Sequence, residues 1–200
     1  MVALLDRRAT PLMLGLLFGL FAVALGLILG DNPAEQALFA ARWTARAALP
    51  LFLVAYLANS LLRLWRGGIT RALMRRRRQW GLGFALAHTI HLVALGINVL
   101  VFAPREPATV IAGGIAYGMI YLMALTSNDA SMRAMGKWWK RMHSFGIHYT
   151  WLIFTLSYAG RFTDGDANHY ATAIVLAPVM FGALGLRLYA RFGRRRVAAV

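Results

Sequence analysis

Cysteine is absent from the 200 residues. That excludes disulfides, thiolate nucleophiles, cysteine-held iron–sulfur clusters and covalent haem attachment through C-x-x-C-H. Acids are scarce: seven Asp and Glu face 22 Lys and Arg, a formal net charge of +15. Zinc or di-iron centres built on carboxylates therefore have little to draw on. Charged residues of both signs make up only 14% of the chain and hydrophobic ones 60%, against about 25% and 45–50% in soluble domains. The apolar excess must face something other than water. A basic soluble chain would suggest nucleic acid. Here the basic residues lie between apolar runs and read as cytoplasmic loops, with a lipid bilayer and no nucleic acid as the partner.

A spanning helix needs about 20 mostly apolar residues. Six candidates follow one another: Pro11–Gly30, Ala47–Trp65, Trp80–Phe102, Ala108–Thr126, Met142–Gly160 and Tyr170–Arg187. Turn and breaker residues separate them, among them Asp31-Asn32-Pro33, Arg66-Gly67-Gly68, Pro104-Arg105-Glu106-Pro107 and Asp164-Gly165-Asp166. Arg7 and Arg8 ahead of the first run resemble a signal peptide. The run is longer than a usual h-region and no small-x-small site follows it, so it reads as a true span. The expected fold is all-α: a polytopic six-helix membrane bundle, residues 1–200 forming one domain.

With the N-terminus inside, 18 of the 22 basic residues fall on inner segments, leaving Arg42, Arg46, Arg105 and Arg161 outside. Asp31, Glu35, Glu106, Asp164 and Asp166 lie outside. This asymmetry places both termini in the cytoplasm of a multi-pass inner-membrane protein.

Ionisable residues within spans are costly and mark function. His88 and His91 stand three apart in the third span and share a face. His143 and His148 stand in the fifth. His169 lies in an outer loop beside acids and carries little weight. The third and fifth spans hold no carboxylate, whereas a b-type haem needs only axial nitrogens and an apolar slot. Gly81, Gly83, Ala85, Ala87, Gly96 and Gly146 would admit a flat macrocycle; Phe84, Phe145, Trp151 and Phe154 would wall it. Spacing alone leaves three readings: a haem pocket, helix packing through small residues, and a proton or ion path.

Two stretches carry a resemblance. Arg76-Arg77-Arg78-Gln79-Trp80-Gly81-Leu82-Gly83, followed by His91, resembles an R-R-x-x-G-L-x-x-(x)-H pattern. Thr126-Ser127-Asn128, then Arg133 to His143 through Gly136, Trp138 and Trp139, resembles T-S-x(5)-R-x-L-G-x-x-W-x-x-L-H. Arg42-Trp43-Thr44-Ala45-Arg46 sits at the entry to the second span. Together they resemble the ferric-reductase-like transmembrane domain family, over roughly Arg42 to Tyr158. The resemblance implies haem b, one or two, and makes His91 and His143 the axial ligands of its iron, with His88 and His148 as the rival pair. Leu156 stands where that family has a further histidine. It also implies an electron-transfer subunit of a membrane reductase, with FMN or a quinol as donor. The acceptor would be separate, a periplasmic reductase or ferric iron. Arg78 and Arg141 are candidate partners for haem propionates. Gly81-x-Gly83 is no dinucleotide loop, because it opens a span and follows no strand. A transporter or a structural assembly factor is the alternative class; against the first, no acid lies mid-span.

Reporter fusions after Gly67, Asp129 and Val200 should report cytoplasm, and fusions after Asn32, Glu106 and Asp166 the outside. An outside signal from the Arg66–Arg78 loop would overturn this topology.

Overall fold

The computed structural model describes residues 1–163 and 167–197, and the side chains of all these but 167–169 and 194–197. The side chains of Asp164, Asp166, His169 and Arg194 to Arg196 lie outside the described residues. Among the described residues every regular element is a helix. Among the described residues five helices are long and apolar enough to cross a membrane. The chain divides into two compact units, Met1–Val110 and Ile111–Val200.

In the first unit, α1 (Val2–Leu5) leads into α2 (Thr10–Leu29), α3 (Pro33–Leu64), α4 (Gly68–Arg75) and α5 (Arg77–Ile97). Helix α3 starts well before the Ala47 expected from hydropathy. Asn32 caps it by accepting from the Glu35 amide at 3.0 Å, and Pro33 sits in its first turn, the fixed φ of proline suiting that position. Its 32 residues extend about 48 Å at 1.5 Å per residue, longer than the bilayer core. Arg42 and Arg46 therefore fall on a helical extension. Ala37, Ala40, Ala41 and Thr44 on that extension are buried.

Lipid chains give helices no hydrophobic reason to associate, so close backbone approach must hold them. The buried face of α2 is Thr10, Pro11, Gly15, Gly19, Ala22 and Gly26. A Cβ on Gly15 would strike the Gly83 backbone of α5, one on Gly83 the Pro11 carbonyl, and one on Gly26 the Ala40 backbone of α3. The opposite face, with Leu16, Leu17, Leu20, Phe21 and Ile28, is exposed, as a lipid-facing surface should be. Helix α5 passes into a π-helical turn, Asn98–Phe102, closed by Ala103 N–H donating to the Asn98 carbonyl at 2.8 Å.

The N-terminal segment is tied to the α4–α5 junction. Arg75 donates to both Asp6 carboxylate oxygens at 3.1 and 2.9 Å, and Arg76 to the Asp6 carbonyl at 2.5 Å. The Arg75 hydrogen bond holds the Asp6 carboxyl below the usual carboxylate range, so this tie weakens as acid protonates Asp6.

The second unit holds most of α6 (Pro107–Leu125), then α7 (Asp129–Met135), α8 (Lys137–Ala159) and α9 (Ala167–Val197). Gly136, at φ 51°, separates α7 from α8; glycine adopts that left-handed backbone without steric cost. Helix α8 has 23 residues, enough to span, yet it is not among the five helices long and apolar enough to cross a membrane. Its Lys140, Arg141, His143, Ser144 and His148 lower its hydropathy. Trp151 Nε1–H donates to the Met180 carbonyl of α9 at 2.9 Å, and the Tyr149 hydroxyl to the Ala112 carbonyl of α6 at 3.1 Å.

Gly83→Ala should lower the thermal midpoint in detergent by an overpacking cost of about 1–3 kcal/mol, despite a gain of about 1 kcal/mol in helix propensity. Gly185→Ala, where an added Cβ meets nothing within 4 Å, should raise it. Equal shifts in the two variants would refute the close-packing account.

Candidate functional site

His88 and His91 lie in the first unit and His143 and His148 in the second, and their surroundings differ. On α5 the His88 and His91 rings lie 4.9 Å apart, tilted by 50°. His88 is 8% exposed. Its ring lies 5.1 Å from Phe84, which lies 5.3 Å from Phe52, which stacks on Tyr56 at 5.5 Å. His88 is thus the end of an aromatic column packed between α3 and α5.

His91 stands at the edge of that column, half-buried. Its Nδ1 lies 3.0 Å from Thr44 Oγ1. The Thr44 hydroxyl has a single proton and lies 2.6 Å from the Ala40 carbonyl and 3.1 Å from that of Ala41. A carbonyl only accepts, so the hydroxyl proton goes there and the oxygen accepts from His91 Nδ1–H. In the neutral ring the lone pair then resides on Nε2. An N–H anchored on one side and a basic nitrogen on the other is the arrangement of metal-binding histidines.

His143 has the opposite tautomer. Its Nε2 lies 3.0 Å from Thr126 Oγ1, and that hydroxyl donates to the Leu122 carbonyl at 2.6 Å. Nε2 therefore carries the proton and Nδ1 the lone pair. Trp139 stacks on the His143 ring at 3.9 Å and donates its indole N–H to the Thr126 carbonyl at 2.8 Å. His143, Trp139 and Thr126 form one tie between the start of α8 and the end of α6. His148 donates from Nδ1 to the Ser144 carbonyl one turn back, at 2.6 Å, which leaves the lone pair on Nε2. It lines a groove of about 480 Å³ with Lys140, Arg141, Ser144 and Phe145.

The expected macrocycle slot changes in composition. Gly83 is spent on α2, and Gly146 is met by the Met119 and Met123 side chains of α6. Ala87 is fully buried. Gly81 and Gly96 are the α5 glycines at which a Cβ would meet nothing within 4 Å. Of the four expected aromatic walls, Phe84 belongs to the His88 column, Trp151 is bonded to α9, and Phe154 stacks on Tyr158 at 6.1 Å. Phe145 lines the His148 groove. Arg141 lies over the Trp138 ring at 5.0 Å, while Arg77 donates to the Ala55 carbonyl at 2.9 Å. Among the described residues no three His, Asp or Glu side chains gather to hold a bare metal ion.

Sequence reasoning gave Thr44 and Thr126 no role. Both lie inside the stretches that carry the family resemblance, Thr44 on a buried helical face and Thr126 just past the end of α6; a threonine within such a stretch is a signal that could have found them.

Thr126→Val should remove the His143 tie and lower stability by about 0.5–1.5 kcal/mol, the net contribution of a half-buried hydrogen bond. A thermal midpoint equal to that of the parent would show that the tie contributes nothing.

No family model matches the chain, and no solved structure matches it. The chain is similar to the protein-methionine-sulfoxide reductase heme-binding subunit MsrQ of Pectobacterium carotovorum subsp. carotovorum (strain PC1), with 32% identity over 131 residues, 58% of this chain. The matched part spans 64% of that relative's length.

Proposed function

We propose that this chain is a haem b-binding, electron-transferring membrane subunit of the MsrQ kind, built on the ferric-reductase-like domain plan. The observation that carries the reading is His91: an imidazole on an apolar helix, its Nδ1 held 3.0 Å from the Thr44 hydroxyl, which bonds back to the Ala40 carbonyl of α3. The likeness to a protein named as a heme-binding subunit supports the same chemistry. So does the lack of cysteine, which leaves non-covalent haem b as the form such a chain would hold.

The fit to haem is one of donor chemistry. His91 would hold the iron from α5; by motif His143 is its partner on α8, with His88 and His148 as the rival pair. Thr44 would fix the ring orientation and tautomer, and raise the basicity of Nε2 through its hydrogen bond. When bound, haem supplies a one-electron iron couple, whose potential follows axial ligation, burial and nearby charge. The chain's own residues bind and orient that group and keep water from it.

Six spans with both termini cytoplasmic, forming one domain, complete the reading, α8 being the sixth. Its support is the 18-to-4 split of basic residues. The inner side would meet the donor, FMN or a quinol, and the outer side the acceptor. The name of the relative, a subunit of a reductase, favours a separate reductase partner as acceptor over ferric iron.

The detergent-purified protein, expressed with adequate haem supply, should show a Soret band that shifts on dithionite reduction, and acid–acetone should extract the pigment. His91→Ala should empty or convert the site, and Thr44→Val should weaken haem retention by about 10–100-fold. A colourless parent protein would refute the reading. Unaltered haem content in His91→Ala would remove His91 from the ligand set.

A further inference from the structure

In the first unit the two short helices α1 and α4 run side by side in the same direction. At one end a Cβ on Gly68 would lie 3.7 Å from the Val2 side chain. At the other, Arg75 and Arg76 hold Asp6. The Thr10 hydroxyl donates to the Leu4 carbonyl at 2.8 Å and folds α1 back onto the start of α2. The pair thus lies where α2 begins, at Thr10, and where α3 ends, at Leu64. Both of those helices are long and apolar enough to span, so α1 and α4 belong to a membrane–water boundary.

Their composition suits that boundary. At 3.6 residues per turn, Ile69, Ala72 and Leu73 share an arc of about 100° on α4, while Arg71 and Arg75 lie on another face. Ala72 is buried in the unit, but Ile69 is exposed, as are Val2 and Leu4 of α1. Trp65, directly after α3, is 57% exposed; at the end of a span an indole sits at the height of lipid headgroups. Charge here is nearly all of one sign. Residues 1–8 and 63–78 hold nine arginines and one acid, Asp6, and Asp6 is taken by Arg75 and Arg76. Arg7, Arg8, Arg66 and Arg71 are exposed.

Exposed apolar side chains next to exposed guanidinium groups match a partner that offers hydrocarbon and phosphate within a few ångströms, which is a bilayer leaflet of anionic phospholipid. Guanidinium pairs with phosphate through two parallel hydrogen bonds. A soluble acidic protein would meet the arginines from the water side and give Trp65, at the end of a span, nothing to do. The Asp6 tie keeps α1 and α4 together, so cations and apolar groups are presented as one surface.

We propose that α1 and α4 form an interfacial platform that binds anionic phospholipid, with Arg7, Arg8, Arg66 and Arg71 on the phosphates and Val2, Leu4, Trp65 and Ile69 among the upper acyl chains. No histidine takes part, so the platform stands apart from the haem reading.

The test uses the full chain in detergent with added phosphatidylglycerol or phosphatidylcholine. Native mass spectrometry counts the lipid retained. Quenching by brominated chains of either lipid, read as the difference between the parent and Trp65→Phe, reports contact at Trp65. The parent should retain phosphatidylglycerol over phosphatidylcholine, and the preference should fall as salt rises from about 0.1 M to about 1 M. Trp65 should be quenched more by brominated phosphatidylglycerol. Arg7→Gln/Arg8→Gln/Arg66→Gln/Arg71→Gln should weaken phosphatidylglycerol binding by about 100-fold or more, each arginine beside an anionic surface counting for roughly fivefold. The same charge removed from the second unit, by Arg133→Gln/Lys137→Gln/Lys140→Gln/Arg191→Gln, should leave binding as in the parent. Equal retention of the two lipids by the parent overturns the proposal. So does equal loss in both quadruple variants, the mark of net charge alone. Unchanged phosphatidylglycerol binding in the first variant overturns it too, and transfers the arginines to an acidic protein partner. Should that variant fail to fold, Trp65 decides in the parent chain: stronger quenching by brominated phosphatidylglycerol upholds the platform, and equal quenching by the two lipids overturns it.

Discussion

The backbone contact between α2 and α5 sets the geometry of the first unit. Gly15 meets Gly83 and Gly83 meets Pro11 at separations that exclude any Cβ. In lipid this contact replaces the hydrophobic drive that holds helices together in water. Once α5 lies against α2 at Gly83, the rotation of α5 is decided. Phe84, Ala87 and His88 turn into the unit, and Val93 and Ile97 turn out. His91, one turn beyond His88, comes to the margin where Thr44 of α3 can reach it.

Thr44 shows how packing acquires a chemical consequence. It reaches His91 because α3 extends to Pro33 and packs its Ala40 and Ala41 positions into the unit. Its hydroxyl bonds back to its own helix, a common habit of threonine in helices. That back-bond leaves only an acceptor for His91 and so selects the tautomer. The same two-step logic operates at Thr126 and His143 with the nitrogens exchanged. Two threonines of identical chemistry thereby hold two histidines by opposite ring nitrogens.

Helix α8 illustrates the competition between insertion and function. Among the residues that keep it outside the five apolar spans are those that line its groove or tie it to α6. Polar groups at such depth are tolerated where they are paired or serve a ligand. His143 is paired with Thr126, His148 with the Ser144 carbonyl, and Arg141 lies over Trp138.

Composition and the distribution of charge sufficed to establish an all-helical membrane protein, because a chain this apolar must satisfy its backbone internally. The positions of the apolar runs marked most helices to within a few residues, and the spacing of His88 and His91 placed them on one face. Hydropathy missed the first 14 residues of α3, since a helical extension beyond the bilayer has no apolar signature; Asn32 and Pro33 were its only local marks. The roles of the small residues and of the histidine tautomers were settled only by tertiary structure. Gly83 and Gly81 are indistinguishable in sequence, and only the approach of α2 to one of them separates a packing contact from an open face. A histidine's coordinating nitrogen is decided by whatever accepts the proton of the other. For His91 that acceptor lies 47 residues away, at a distance only the folded chain closes.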